Sequence, residues 1–211
     1  MRARLAFALA LGLTTTACGG EDGLGPGAPY AIRVVSFEEG LAGGFGAERL
    51  PDVVLGGPRG AGEWAGSTDV LSLGIGGSIT LELGLEVVDG PGPDLILFEN
   101  AFRPVGSDGI YAEPAVVSVS LDGQDFVELP CDPVTPPFDG CAGLQPVYAN
   151  VDERAPDPLD PAVSGGDALD LAAAGIARAR FVRIVDSGVD HSSGPMKGGF
   201  DLDAIAVLHA P

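Results

Sequence analysis

The chain has 211 residues and a formal net charge of −19, a length suited to one β-rich domain. So acidic a body is repelled by phosphate backbones and anionic membrane surfaces, which argues against nucleic acid as a partner. The same excess favours a divalent cation, although plain surface solvation accounts for most of the acids.

In chain order, Arg2 and Arg4 precede an apolar run over residues 5–13 that is too short to span a bilayer as a stable helix. Thr14, Thr15, Thr16 and Ala17 then lead into Cys18. Small residues directly before a cysteine resemble a bacterial lipoprotein signal, in which Cys18 becomes the lipidated first residue. Thr15 departs from the Leu usual at its place, and an ordinary secretory signal cut nearby is the alternative. The expected division is a signal over 1–17, a Gly/Pro/acid tether over 18–29 and a folded domain over 30–211. Localisation would be export from a bacterial cell, with the lipid at Cys18 holding the protein to the outer membrane or cell surface.

Residues 30–37 read as the first strand. Residues 39–66 form a Gly-rich wrapping segment that carries Trp64, the single tryptophan. Trp64 either caps the core or, if exposed, offers a ligand platform. Residues 70–74 and 78–83 read as strands, the second alternating Ile79, Leu81 and Leu83 with polar neighbours. Gly74, Gly76 and Gly77 between them lack the helix and the Lys-Ser/Thr pair of a phosphate loop, so they mark a turn. Residues 94–100 (DLILFEN) follow a Gly-Pro turn and read as a buried central strand with apolar side chains on both faces. Residues 115–122 alternate Val117, Val119 and Leu121 inward, and Asp122-Gly123 signals a hairpin returning over 126–129. Residues 130–166 are rich in proline and acids and hold no long element, residues 167–174 read as the one short helix, and 179–186 and 199–208 read as strands. About eight strands, one short helix and long end loops describe an all-β, antiparallel β-sandwich.

Cys131 and Cys141 flank a proline-rich loop and, in an exported chain, most readily form a disulfide. Their spacing is not that of a redox or zinc pair. With only His191 and His209 in the chain, a histidine-based zinc site and a Ser-His-Asp triad are disfavoured. Acids tip the two strands read as buried. Glu99 and Asn100 end the central one, and Asp201 and Asp203 open the last, where alternation puts both on one face with Ile205 and Val207. Glu113 and Asp186 are outer possibilities. A carboxylate at the edge of a packed layer must be hydrogen-bonded, paired or metal-bound. Ca²⁺, which takes six to eight oxygens, fits Glu99, Asn100, Asp201 and Asp203; a bridge from one of these acids to Arg183 is the competing reading. No D-x-D-x-D-G loop supports calcium independently.

Two segments carry a family resemblance: AVVSVSLDGQDF over 115–126 and ARFVRIVD over 179–186. They resemble the strand-turn and late strand of discoidin-like, galactose-binding-like jelly rolls. The wider set VLSLGIGGSITLEL, GPDLILFENAF, GGDALDLA and GFDLDAI looks like a poorly characterised group of bacterial secreted and surface lipoproteins, and the likeness runs from Asp52 to Leu208. That resemblance implies a jelly roll, a structural Ca²⁺ and loops that bind sugars or lipids at one end of the sandwich. The loops over 101–114 and 187–198 would supply those contacts, with Arg103, Tyr111 and His191 as the candidates. The resulting expectation is a lipid-anchored binding module and not an enzyme. An accessory role in outer-membrane nutrient or cofactor uptake is the first alternative. Glycoside hydrolysis by a carboxylate pair such as Glu99 and Asp203 is the second.

Overall fold

The computed structural model describes residues 25–189 and 198–211. The expected signal, Cys18 and His191 lie outside the described residues. Nine strands are described: β1 (Ala31–Glu38), β2 (Leu71–Ser72), β3 (Ser78–Val88), β4 (Leu95–Glu99), β5 (Ala115–Ser120), β6 (Val127–Glu128), β7 (Asp167–Leu169), β8 (Arg178–Asp186) and β9 (Asp201–Val207). They form two antiparallel sheets, ordered β1-β3-β8-β5-β6 and β2-β9-β4-β7. The protein is an all-β antiparallel sandwich, as the strand pattern and turn spacing predict.

The main core lies between the sheets. Ile79, Leu81, Leu83, Val117, Val119, Val182 and Ile184 from one sheet meet Leu95, Leu97, Leu202, Ile205 and Val207 from the other. A second, smaller cluster of Ile96, Phe98, Ala204, Ala206 and Val147 covers the outer face of the four-stranded sheet. Strand β4 is therefore buried on both faces, which is why its sequence reads as continuous rather than alternating apolar. The end of the expected tether already belongs to the body. Gly27 N–H donates to the Gly84 carbonyl, and the Pro29 carbonyl accepts from Val207 N–H at 2.7 Å.

Several local expectations need correction. Residues 167–174 are not one helix: Asp167–Leu169 pairs with β4, and only Leu171–Ala174 turns, as a 3-10 segment. Asp170 is the cap, accepting from Ala172 N–H at 2.8 Å, and Gly175 closes the turn at φ 67°, a left-handed conformation suited to glycine. Antiparallel pairing of Asp167–Leu169 with Leu95–Leu97 of β4 outweighs the weak helical propensity of so short a stretch. Leu121 is exposed and Ser120 buried, because β5 ends at Ser120 and the chain leaves the pleat there.

The alternation of β9 is also broken. Pairing with β4 shifts register between Phe98 and Glu99, which face Ala204 and Leu202. Asp203 is the extra residue of that bulge, and Leu202 joins Ile205 and Val207 in the main core. Asp201 and Asp203 therefore do not share a face with Ile205 and Val207. A one-residue slip reverses every side chain beyond it.

Candidate functional site

The acids of β4 and β9 do meet. Asp201 N–H donates to Glu99 Oε1 at 3.3 Å. Carboxylate oxygens of Glu99, Glu113 and Asp201 all lie within 4.8 Å of one another. Glu99 is only 2% exposed, and its Oε2 has no hydrogen-bond partner among the described residues. Burial pushes the Glu99 carboxyl well above its ordinary range, and the charges of Asp201 and Glu113 add to the rise. Backbone N–H groups of Asn100 and Asp201 oppose it. Burial likewise raises Asp201; hydrogen bonds from Ser72 and Asn100 work against that rise, and the Asp186 charge adds to it.

Strand positions explain the convergence. Glu99 closes β4, Asp201 opens the neighbouring β9, and Glu113 precedes β5 in the facing sheet. Each sits where a strand meets its loop, at one end of the sandwich. Gly198 runs so close to Glu113 that an added Cβ would collide with its carboxylate. Tyr111 hydroxyl donates to Glu113 Oε1 at 3.3 Å.

The other expected residues are placed differently. Asn100 turns its Oδ1 to accept from Ser67 N–H, pinning the wrapping segment to the end of β4. Asp203 accepts from Arg59 N–H through both oxygens, at 3.1 and 2.8 Å. Its carboxyl is pushed up to about 8, chiefly by burial, with the Arg59 N–H and guanidinium opposing and the Asp69 charge adding. Asp203, Glu99 and Asn100 line one narrow cleft with Ser67, Val70 and Val147. Asp186 is a structural acceptor: Gly76 and Gly188 N–H donate to Oδ1, both at 2.8 Å, and Phe200 N–H to Oδ2 at 2.9 Å. Arg183 makes no bridge to a carboxylate among the described residues. It lies on the open face of the five-stranded sheet, with its guanidinium 3.8 Å from the centre of the Phe126 ring and Nε reaching Thr80 Oγ1 at 3.5 Å.

Trp64 does not cap the core; it is 68% exposed. Arg103 lies over its ring at 5.7 Å and pairs with Glu63 through Nε at 2.8 Å. Arg103 also donates from Nη1 to the Asp108 carbonyl. Tyr111 bridges to Phe102 by backbone pairing, with ring centroids 5.7 Å apart. Cys131 and Cys141 form the expected disulfide, with Cα atoms 4.7 Å apart.

Sequence reasoning left Glu113 at the margin and missed Ser72 and Arg59 as partners of the acids and Ser67 as the partner of Asn100. Glu113 lies in a loop with no periodicity to assign it a face, and the other three act from remote segments.

A second acidic group, Asp89, Asp94 and Asp170, sits at the start of β4. It differs in one decisive respect. Both Asp94 oxygens are engaged: Oδ1 by Gly90 N–H and His209 Nδ1, each at 2.8 Å, and Oδ2 by Leu171 N–H at 2.9 Å. Those contacts account for Asp94 structurally.

Fold and site together define a β-sandwich with a buried carboxylate cluster at one end. No family model matches the chain, and no curated protein matches it.

Proposed function

We propose that this protein is an extracytoplasmic binding module whose loop end is organised by a divalent cation, Ca²⁺ by preference. The cation would sit among Glu99, Glu113 and Asp201. The observation carrying this reading is Glu99 Oε2, a deeply buried carboxylate oxygen with no hydrogen-bond partner among the described residues. A bare buried carboxylate costs several kcal/mol, on the order of a full desolvation penalty. A cation offsets that cost and the mutual repulsion of three acids at once. Oxygens around one Ca²⁺ lie at about 2.3–2.6 Å from it, so they can be no more than about 5 Å apart. The spacing within 4.8 Å meets that pairwise bound. Backbone carbonyls and water would complete the shell. Asn100, engaged with Ser67, and Asp203, engaged with Arg59, support the loops around the ion.

Recognition of a glycan or other small ligand by the adjoining loop 101–114, and attachment to the cell surface through a lipid at Cys18, complete the proposal. The test is calorimetry and thermal melting of chelator-treated protein with CaCl₂. Expected are measurable heat and a higher Tm; at a concentration one hundredfold above Kd the gain is about 2.7 kcal/mol. Glu99→Gln should melt higher than wild type in chelator, by on the order of 1–3 kcal/mol, because it removes an uncompensated buried charge. It should also lose the calcium response. Absence of both heat and Tm shift in the wild type would remove the metal.

A further inference from the structure

One of the three acids has a second occupation. Glu113 accepts from the Tyr111 hydroxyl, and Tyr111 is joined by ring contact and by backbone pairing to Phe102. The next residue, Arg103, is clamped to Glu63 twice, backbone to backbone at 2.6 Å and side chain to side chain at 2.8 Å. Its guanidinium covers the ring of Trp64. A second tie runs from the other side: Asn100, beside Glu99, accepts from the N–H of Ser67, three residues after Trp64.

We propose that the cation bound by Glu99, Glu113 and Asp201 controls the arrangement of the exposed Trp64–Arg103 pair, through Glu113 and Tyr111. This inference rests on the cation reading above and adds its regulatory consequence. The physical basis is differential restraint. Acids gathered in one spot repel one another once ionised, and the Tyr111 hydroxyl holds one of them, Glu113, at 3.3 Å. A cation draws the three carboxylates toward a common centre. One Glu113 oxygen ligates while the other faces the hydroxyl, so Tyr111, Phe102 and Arg103 follow as a packed unit. A ligand shifts a conformational balance only by its unequal interaction with the alternatives, and the coupling acts equally in both directions. Cation binding therefore orders the Trp64 surface, and anything that stacks on that surface tightens the cation.

The chain supplies its own reporter, since Trp64 is its single tryptophan and is 68% exposed. Full-length chelator-treated protein is titrated with CaCl₂ while heat and tryptophan emission are followed on the same sample. The expected result is a saturating change in emission whose midpoint coincides with that of the heat. Tyr111→Phe keeps the ring packing and removes the hydroxyl; it should retain the heat, lose most of the emission change and weaken calcium binding about fivefold, the equivalent of one ordinary hydrogen bond. Arg103→Gln is the second variant: it touches no acid of the cluster, and should keep the heat while its calcium-dependent emission change disappears. Calcium heat with flat wild-type emission overturns the coupling and leaves the cation site standing. So does an undiminished emission change in both variants. No heat in any sample defeats the cation reading itself.

Discussion

At the scale of single residues, the protonation of a few buried acids governs how this protein responds to pH. Asp203 is pushed up to about 8 and Asp167 to about 6, each chiefly by burial; Glu99 and Asp201 move the same way. Asp167 keeps a partial counterweight, since one of its oxygens accepts from Gly143 and Leu144 N–H at 2.7 and 3.0 Å. A carboxyl raised on folding holds a proton that the unfolded chain releases. Its contribution is fully present below the unfolded value near 4 and is lost as pH climbs through the folded value. Metal-free protein should therefore lose stability steadily from about pH 4 to about pH 8, read as a falling Tm in chelator-containing buffers. Asp203→Asn keeps one acceptor oxygen for Arg59 N–H, and should flatten the upper part of that decline. Added calcium should recover most at the alkaline end, where fewer protons compete for Glu99 and Asp201. A Tm that rises from pH 5 to 8 in chelator would contradict the sign.

Between elements, the contrast is between a strand buried on both faces and one open to water on its outer side. Leu97 is fully buried in the middle of β4, within the main core. Leu97→Ala should cost about 2–5 kcal/mol in urea unfolding, the loss of transfer energy plus a cavity with little room to collapse. Arg183 belongs to β8 but lies outside the core, against Phe126. Arg183→Ala should cost about 0.5–2 kcal/mol, the worth of a half-buried cation–aromatic contact. Had Arg183 been the buried bridge that its apolar neighbours suggest, the loss would be about 3–5 kcal/mol. The two variants measured side by side decide between these pictures. Strand identity was plain wherever a period of two or a continuous apolar run exceeded four residues, as in β3, β4, β5 and β8. The short strand Asp167–Leu169 was not legible, because three residues carry no period and their pairing with β4 is a long-range event.

For the molecule as a whole, closure of the proline-rich stretch depends on one covalent tie. The Cys131–Cys141 bridge spans a sequence separation of 10. Its loss should destabilise by about 3 kcal/mol through the loop-closure entropy returned to the unfolded chain. Urea unfolding of the Cys131→Ser/Cys141→Ser double variant measures this, with a change under about 1 kcal/mol counting against the entropic account. The stretch it staples is not idle. Ala115 and Ala142 exchange backbone hydrogen bonds, tying residue 142 to the start of β5 just after Glu113, so the bridge helps hold the loop end from which the acids converge.

The chain by itself determined the all-β class, the central strand with two buried faces, the disulfide pair and the presence of acids at the ends of β4 and β9. These follow from local rules: side-chain period, turn chemistry and the aversion of apolar residues to water act over a few positions. Tertiary structure alone decided which acids share a site. Glu113 entered because its loop is carried over from the facing sheet, Asp203 was turned to Arg59 by a bulge, and Asp186 was taken up by three backbone donors. Those outcomes depend on strand register and on segments far apart in sequence, and no local pattern encodes either. A carboxylate's role is set by which donors and charges surround it once the sheets have closed.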